Sequence, residues 1–210
     1  MATEIEMKLS FTELQSEPCL EALTAVLAGE GLNVEIKKNH LENAYFDTPD
    51  FALHAHKVAL RIRRKISEQG QVQYIQTLKT AGHSRNGLSQ RGEWEWQLAQ
   101  PDLALELLSA CEAWPGLLKT STLLKVFETN FTRYAFLLNW GESLIELVLD
   151  WGEIISNNKS ERLHEIELEL KKGEASDVLN LSEKLVQALP VRPLDLSKAE
   201  RGFTLFKSNE

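Results

Sequence analysis

The sequence predicts an α+β protein built on an eight-stranded antiparallel β-barrel, with a polar interior and helices packed on the outside. Two observations lead to this prediction. Eight segments alternate apolar and polar residues with the two-residue period of half-buried strands, and the polar side of most of them carries charged residues. The segments are residues 3–10, 34–48, 58–66, 72–81, 88–98, 127–140, 143–155 and 162–171.

The connections between these segments indicate how the strands pair. Turn residues at 68–70, 82–87 and 140–142 join consecutive strands through short loops, so those neighbours should pair antiparallel. Between other strands, Leu, Ala and Val recur every three or four residues, which predicts helices over 18–29, 102–114 and 175–189. The helices need an apolar surface to pack on, and the outer face of a barrel would provide it.

The charged faces of the strands are the strongest functional signal. Because alternate side chains of a strand point to opposite sides of the sheet, each of these strands has one apolar face and one charged face. An ordinary sheet with a solvated outer face would show the same alternation. The repetition of carboxylate and Arg pairs across strands favours a closed barrel, whose interior would hold one small ligand. The charged faces comprise Glu4, Glu6, Lys8, Arg61, Arg63, Lys79, Arg91, Glu93, Glu95, Arg133, Glu146, Asp150, Glu165, Glu167 and Glu169.

The charges on these faces predict a particular kind of ligand. Carboxylates two residues apart on a strand lie about 6.5 Å apart and repel by about 2.5 kcal/mol at an effective dielectric constant of about 20. A cavity lined by several of them therefore requires cations. An all-oxygen ligand set suits Mg²⁺ or Mn²⁺, and Arg and Lys suit phosphate oxygens. The sequence predicts a polyanion bound together with metal ions, and the alternative is a set of internal salt bridges.

Length and composition limit the class of protein. A chain of 210 residues that is 43% hydrophobic is long enough for one domain with its own core. The chain has no apolar run of 18 residues and no secretory signal at its start, which predicts a cytoplasmic protein without a membrane partner. A net charge of −8 argues against nonspecific binding of nucleic acid. Nothing in the sequence indicates the oligomeric state.

The segment from Glu4 to Lys8 and seven later strings, which run in order from Tyr45–Thr48 to Ser197–Gly202, resemble signatures of the CYTH superfamily, also called triphosphate tunnel metalloenzymes. The segment from Glu4 to Lys8 matches the ExExK motif of that superfamily. The whole sequence is most similar to bacterial inorganic triphosphatases that often carry a helical CHAD domain after the CYTH domain, so residues 1–210 are expected to form a single CYTH domain without CHAD. The other strings are Tyr45–Thr48, Leu60–Arg63, Thr77–Lys79, Arg91–Glu93, Leu149–Gly152, Glu165–Glu169 and Ser197–Gly202.

The resemblance implies hydrolysis of inorganic triphosphate to diphosphate and phosphate inside a tunnel, with two Mg²⁺ or Mn²⁺ ions. Alternatives are a class IV-type adenylate cyclase, a hydrolase of nucleoside or thiamine triphosphate, and a non-catalytic polyphosphate-binding module. The residues that would distinguish these substrates are not indicated by the sequence. One departure concerns residues 41–44, which lack the basic residue that many members carry there, and this weakens the expectation of phosphate contacts on the second strand.

The family pattern also implies a role for each candidate site residue. The expected metal ligands are Glu4, Glu6, Glu93, Asp150, Glu165, Glu167 and Glu169. The expected substrate contacts are Lys8, Arg61, Arg63, Lys79, Arg91, Arg133, Lys198 and Arg201. The expected catalytic residues are Glu4, Glu6, Lys8, Lys79 and Lys198.

Overall fold

The fold is an antiparallel β-barrel with helices around it, as seen in a computed structural model that describes residues 2–13, 17–114 and 122–208. In these residues the strands are β1 (Ala2–Phe11), β2 (Ile36–Asp47), β3 (Ala59–Ser67), β4 (Val72–Arg85), β5 (Leu88–Leu98), β6 (Leu124–Trp140), β7 (Ser143–Ser156), β8 (Lys159–Lys172) and β9 (Val191–Pro193). The helices are α1 (Leu20–Gly29), α2 (Ala52–Ala55), α3 (Leu105–Ser109), α4 (Ala175–Ala188) and α5 (Lys198–Lys207).

The barrel closes through a pairing between its first and fifth strands. The strands follow the order β5-β4-β3-β2-β6-β7-β8-β1, and β1 pairs back with β5 so that Glu4 lies opposite Arg91. The short strand β9 continues the same edge of β1, where Phe11 pairs with Val191. The predicted closed barrel is therefore confirmed. Since β3 and β8 are four strands apart in either direction, they form opposite walls.

The apolar faces of the strands point outward, as predicted. One buried cluster, which includes Leu9, Leu147 and Ile166, packs beneath α1 and α4. A second cluster, which includes Leu60 and Leu78, packs beneath α2 and α3. Each fully buried aliphatic side chain of this kind contributes about 1.5–3 kcal/mol to folding. The outward packing leaves the charged faces to line the interior.

Helix α5 lies at one end of the barrel. It begins with a capping box, in which the Ser197 hydroxyl accepts a hydrogen bond from the Glu200 amide and the Glu200 carboxylate accepts one from the Ser197 amide. Gly202 lets the helix approach the ring of Phe127 closely, because a Cβ atom at this position would lie 2.2 Å from the ring. Phe203 packs with the buried residues Leu41 and Phe131. The first turn of α5 is thereby held beside the interior of the barrel.

All eight predicted strands are present, but the helices differ from the prediction. The helix predicted over 102–114 is wrong in extent, since α3 spans only Leu105–Ser109. The Gln76 side chain bonds both backbone groups of Ala104, at 2.9 and 3.3 Å, and so fixes the residue before the helix in a non-helical position. The sequence prediction missed α2, α5 and β9. Across the described ranges, no helix has the length and apolar character needed to cross a membrane.

Candidate functional site

The interior of the barrel holds a cavity of about 310 Å³. Among the described residues, ten Lys or Arg side chains and seven Glu side chains line it, although the whole chain carries a net charge of −8. Positive charge is thus concentrated inside a protein that is acidic overall. A cavity with this surplus attracts anions, and the low-dielectric walls strengthen the attraction.

The wall formed by β7 and β8 carries three carboxylates whose oxygen atoms converge. Asp150, Glu165 and Glu167 are buried, and one oxygen of each lies within 4.8 Å of the others. Lys198, from the first turn of α5, places its Nζ atom between them, 2.8 Å from Asp150 Oδ2 and 2.8 Å from Glu167 Oε1, and it also pairs with Glu165. Burial alone would lower the pKa of Lys198, but the surrounding carboxylates raise it above its ordinary value.

Two arginines complete the balance of charge around this acidic cluster. Arg133 donates from Nε and Nη2 to the two oxygens of Asp150, each at 2.7 Å, and from Nη2 to Glu167 at 2.9 Å. Arg201 donates from Nη1 to Glu165 at 2.8 Å. Burial would raise the pKa of Asp150, but Arg133 and then Lys198 hold it below its ordinary value. The cluster is acidic in composition, yet its charges are matched by cations of the protein.

The ExExK strand β1 contacts both the acidic and the basic parts of the cavity. Glu4 accepts hydrogen bonds from Lys79 Nζ at 2.7 Å and from Arg91 Nε at 2.8 Å. Burial opposes ionisation of Glu4, but Lys79 and Arg91 lower its pKa below its ordinary value. Lys8 donates to Glu6 at 3.0 Å. Glu4 therefore stays ionised, and the side chains of both Glu4 and Glu6 face the cavity.

The opposite wall, β3, is different because its cations outnumber their carboxylate partners. Arg63 donates from Nε to Asn43 Oδ1 at 2.7 Å, and the Asn43 amide is in turn held by the Thr129 hydroxyl at 2.9 Å. No ion pair to Arg63 occurs in the described part of the chain. Burial, followed by the nearby charges of Arg61 and Arg133, lowers the pKa of Arg63 to about 9. This part of the cavity disfavours a further positive charge and would be stabilised by an anion.

Arg61 provides a second indication of an anion site on the same wall. Its Nη2 atom lies 3.9 Å from the nearest oxygen of Glu93 and 3.9 Å from that of Glu95, beyond hydrogen-bonding distance. Its Nε atom is buried and has no hydrogen-bond partner among the described residues. Buried N–H donors are nearly always satisfied. Arg61 also makes a side-chain hydrogen bond with Tyr45, so a bound phosphate oxygen would provide the acceptor that its Nε atom lacks.

Twelve of the predicted site residues line the cavity, and three do not. Asp150, Glu165 and Arg201 lie behind the lining. Asp150 and Glu165 contact the lining residue Lys198, and Arg201 pairs with Glu165. The residues that line the cavity as predicted are Glu4, Glu6, Lys8, Arg61, Arg63, Lys79, Arg91, Glu93, Arg133, Glu167, Glu169 and Lys198.

Sequence reasoning missed several residues that also face the cavity. Lys65 continues the alternation of Arg61 and Arg63 along β3, so the same pattern could have identified it. On β2, Lys37 faces the cavity and Asn43 orients Arg63, although residues 41–44 carry no basic residue. The second strand therefore contributes to the site at positions outside the family signature.

The carboxylates that face the cavity fit the requirements of a hard divalent cation. Glu4, Glu6, Glu167 and Glu169 offer only oxygen ligands, which Mg²⁺ and Mn²⁺ prefer. The buried cluster of Asp150, Glu165 and Glu167 is also an acidic group that could hold a metal ion. In this structure Lys198 Nζ takes the position between those three carboxylates.

Comparison with known proteins agrees with this architecture. The family model described as the CYTH domain matches residues 2–203. The chain belongs to the CYTH family. An inorganic triphosphatase from Haemophilus influenzae is 32% identical to this CYTH chain over 209 residues, which cover 98% of the chain and 55% of that protein. The chain therefore spans about half the length of this curated relative.

Solved structures share the fold of this CYTH chain at low sequence identity. A Hippeastrum protein that was provisionally assigned as an adenylyl cyclase and has a dominant triphosphatase activity aligns with a TM-score of 0.61 and 22% identity, over 99% of this chain and 96% of that one. The PH1819 protein from Pyrococcus horikoshii aligns with a TM-score of 0.58 and 18% identity, over 97% and 99% of the two chains. These similarities establish the barrel as the shared feature.

Proposed function

We propose that this chain hydrolyses inorganic triphosphate to diphosphate and phosphate, with the help of a divalent cation. The observation that carries the proposal is the opposition of β3 and β8 across the cavity. β3 presents Arg61 and Arg63, whose charges are incompletely matched, while β8 presents the carboxylates of Glu167 and Glu169. A phosphate chain between these walls would contact Arg on one side and cations held by Glu on the other.

The proposed metal ligands are the carboxylates that face the cavity, namely Glu4, Glu6, Glu167 and Glu169. A bound Mg²⁺ or Mn²⁺ would neutralise phosphate charge and position water for in-line attack on a terminal phosphorus. Asp150 and Glu165 would act indirectly, because they fix Lys198 and Arg133 at the inner end of the cavity. Glu93 would orient Lys79, from which it lies 3.1 Å away.

The proposed phosphate contacts are the cations that line the cavity. Arg61 and Arg63 would bind phosphate oxygens from β3, and Lys8, Lys79, Arg91 and Arg133 would do so from β1, β4, β5 and β6. Lys198 would stabilise charge that develops on the leaving diphosphate or on the attacked phosphoryl group. Arg201 would hold Glu165 rather than the substrate, since its guanidinium already pairs with Glu161 and Glu165. The reaction consumes one water molecule and needs no nucleophilic side chain.

The choice of inorganic triphosphate rests on the Haemophilus relative, which is an inorganic triphosphatase. The test is to measure phosphate release from inorganic triphosphate, ATP and thiamine triphosphate, each with Mg²⁺, Mn²⁺ or EDTA. We expect the highest kcat/KM for inorganic triphosphate and no turnover in EDTA. Formation of cyclic AMP from ATP as the main reaction would overturn the proposal in favour of a cyclase.

A matched pair of variants tests the metal ligands. Glu4→Gln combined with Glu6→Gln should abolish turnover while the far-ultraviolet circular dichroism stays native. Glu42→Gln is the control, because this carboxylate lies on β2 and pairs with Arg64 away from the cavity, at 2.8 Å. Turnover that survived the double substitution would show that the ligand assignment is wrong.

A further inference from the structure

The end of the cavity away from α5 opens to solvent. On β8, the inward-facing side chains change from buried at Glu165 and Glu167 to half-buried at Glu169 and exposed at Lys171. On β2, Leu41 is buried and Lys37 is exposed. Since inward-facing positions on both strands become more exposed in this direction, a polyanion can enter the cavity from this end, which we call the mouth.

The other end is occupied by the start of α5. A second cavity of about 700 Å³ adjoins the first one at this end, and the two share the lining residues Lys8, Tyr45, Ala59, Lys79, Arg91, Ser197 and Ala199. Lys198, between Ser197 and Ala199, is bound by three carboxylates.

Two lysines at the mouth are unpaired within the part of the chain that the structure describes. Lys37 and Lys65 line the cavity, and the described residues form no ion pair with either of them. Lys171, at the same mouth, is instead bound to Glu146 at 3.1 Å and to Glu169 at 2.7 Å. Lys65 follows Arg63 by two residues, so the cationic row on β3 extends roughly 6.5 Å further outward.

We propose that Lys37 and Lys65 form an outer anion subsite, which captures the incoming phosphate chain at the mouth and delivers it to Arg63. The proposal rests on the proposed function for the identity of the substrate. Unpaired cations at the entrance of a charged cavity raise the local concentration and association rate of an anion. The subsite lies away from the acidic cluster around Lys198, so it acts on capture and leaves the chemical step unchanged.

The test compares the double variant Lys37→Gln, Lys65→Gln with the wild-type protein, using inorganic triphosphate at low salt and at about 0.15 M ionic strength. We expect kcat/KM to fall about tenfold at low salt, within the range for electrostatic steering, while kcat is unchanged. The difference should shrink at the higher ionic strength, where exposed charges are screened. The charge-conserving variant Lys37→Arg, Lys65→Arg should restore most of kcat/KM.

Two control variants make the result specific. Lys38→Gln removes the neighbouring charge on β2, which lies 5.8 Å from the ring of Tyr134 and does not line the cavity. Lys57→Asn removes an exposed charge at the second cavity, and Asn tolerates the positive φ of 55° found there. Equal losses in Lys38→Gln, or a larger loss in Lys57→Asn, would overturn the proposal, as would an unchanged kcat/KM in the double variant.

A binding measurement separates this inference from the proposed function. Calorimetric titration of triphosphate into the metal-free protein requires no turnover. If the wild-type protein binds triphosphate without hydrolysing it, the proposed function is refuted. Even then, weaker triphosphate binding by the double variant than by the wild-type protein would support the subsite. Hydrolysis by the wild-type protein with equal affinity and equal kcat/KM in the double variant would refute the subsite alone.

Discussion

The walls formed by β3 and β8 face each other across the cavity, yet their charges are satisfied in different ways. On β8, Glu165 and Glu167 are bound by Lys198, and Arg133 or Arg201 adds a second cation to each. On β3, Arg63 is held by a neutral amide and has no carboxylate partner in the described ranges. The β8 wall is balanced by the protein itself, whereas on β3 a bound anion would supply the charge that Arg63 lacks.

The difference indicates which parts of the site serve stability and which serve function. Removing one member of a buried, balanced ion cluster leaves the remaining charges unpaired, which is costly. Removing an unbalanced cation relieves repulsion and can leave the fold unharmed or more stable, as is common at binding sites. Substitutions on β8 should therefore lower both activity and stability, whereas substitutions on β3 should lower activity without lowering stability.

The largest effect is expected from Glu167→Gln on β8. This carboxylate accepts hydrogen bonds from Arg133 and Lys198, so its loss leaves two buried cations short of a partner. We expect no detectable phosphate release and a decrease of about 3–5 kcal/mol in the free energy of unfolding, measured with urea. Glu153→Gln, an exposed change on β7, is the control. Wild-type stability of Glu167→Gln would contradict the account of a balanced wall.

The next effect is expected from Arg63→Gln on β3. Loss of this phosphate contact should lower kcat/KM by about 10²–10³-fold, as for other groups that stabilise developing charge. The free energy of unfolding should stay the same or rise, because the folded protein disfavours this charge. Arg64→Gln, its outward-facing neighbour, should change both activity and stability little, because its ion pair with Glu42 is exposed to solvent. A clear loss of stability in Arg63→Gln would show that β3 is balanced as well.

A smaller effect concerns ligand binding by the metal-free protein. Triphosphate at about 100 times its dissociation constant should stabilise the wild-type protein by about 2.7 kcal/mol. This corresponds to a rise of roughly 5–10 °C in Tm for a chain of this size. Differential scanning fluorimetry in EDTA would measure the rise, which should be much smaller in Arg63→Gln. Equal stabilisation of both proteins would place the anion away from β3.

The smallest effect is expected from acid titration of Glu4. Its folded pKa lies below the ordinary value of 4.5, owing to Lys79 and Arg91 acting against burial. The ionised form therefore stabilises the fold above about pH 4.5, and this contribution is lost as the pH falls through the folded pKa. The difference in Tm between the wild-type protein and Glu4→Gln should shrink on acidification. A difference that is constant from neutral to acidic pH would contradict this assignment.

The sequence was sufficient to predict both walls, because strict alternation determines which side chains share a face. Arg61 and Arg63 on β3, and Glu167 and Glu169 on β8, line the cavity as that alternation requires. Lys65 obeys the same rule and also lines the cavity, but it was not among the predicted site residues. The opposition of the two walls was not predicted, since it depends on the pairing of β1 with β5 between distant segments.

The helices and the balance of charge were harder to predict. Helix α5 is short, and its one clear signal is the capping box of Ser197 and Glu200. Its position decides that Lys198 lies among three carboxylates, so these carboxylates are bound by a lysine in the structure. Asp150 and Glu165 are buried behind the lining because Lys198 of α5 packs against them. This contact joins segments that are distant in the sequence, so no local sequence pattern predicts it.

The most direct test is a crystal structure of the Glu4→Gln, Glu6→Gln variant with triphosphate, together with one of the wild-type protein with Mn²⁺ located by anomalous scattering. The account predicts triphosphate oxygens within hydrogen-bonding distance of Arg61 and Arg63, and manganese bound by the carboxylates of Glu167 or Glu169 with those of β1. Triphosphate bound in the second cavity, or manganese in the position of Lys198 Nζ, would contradict it.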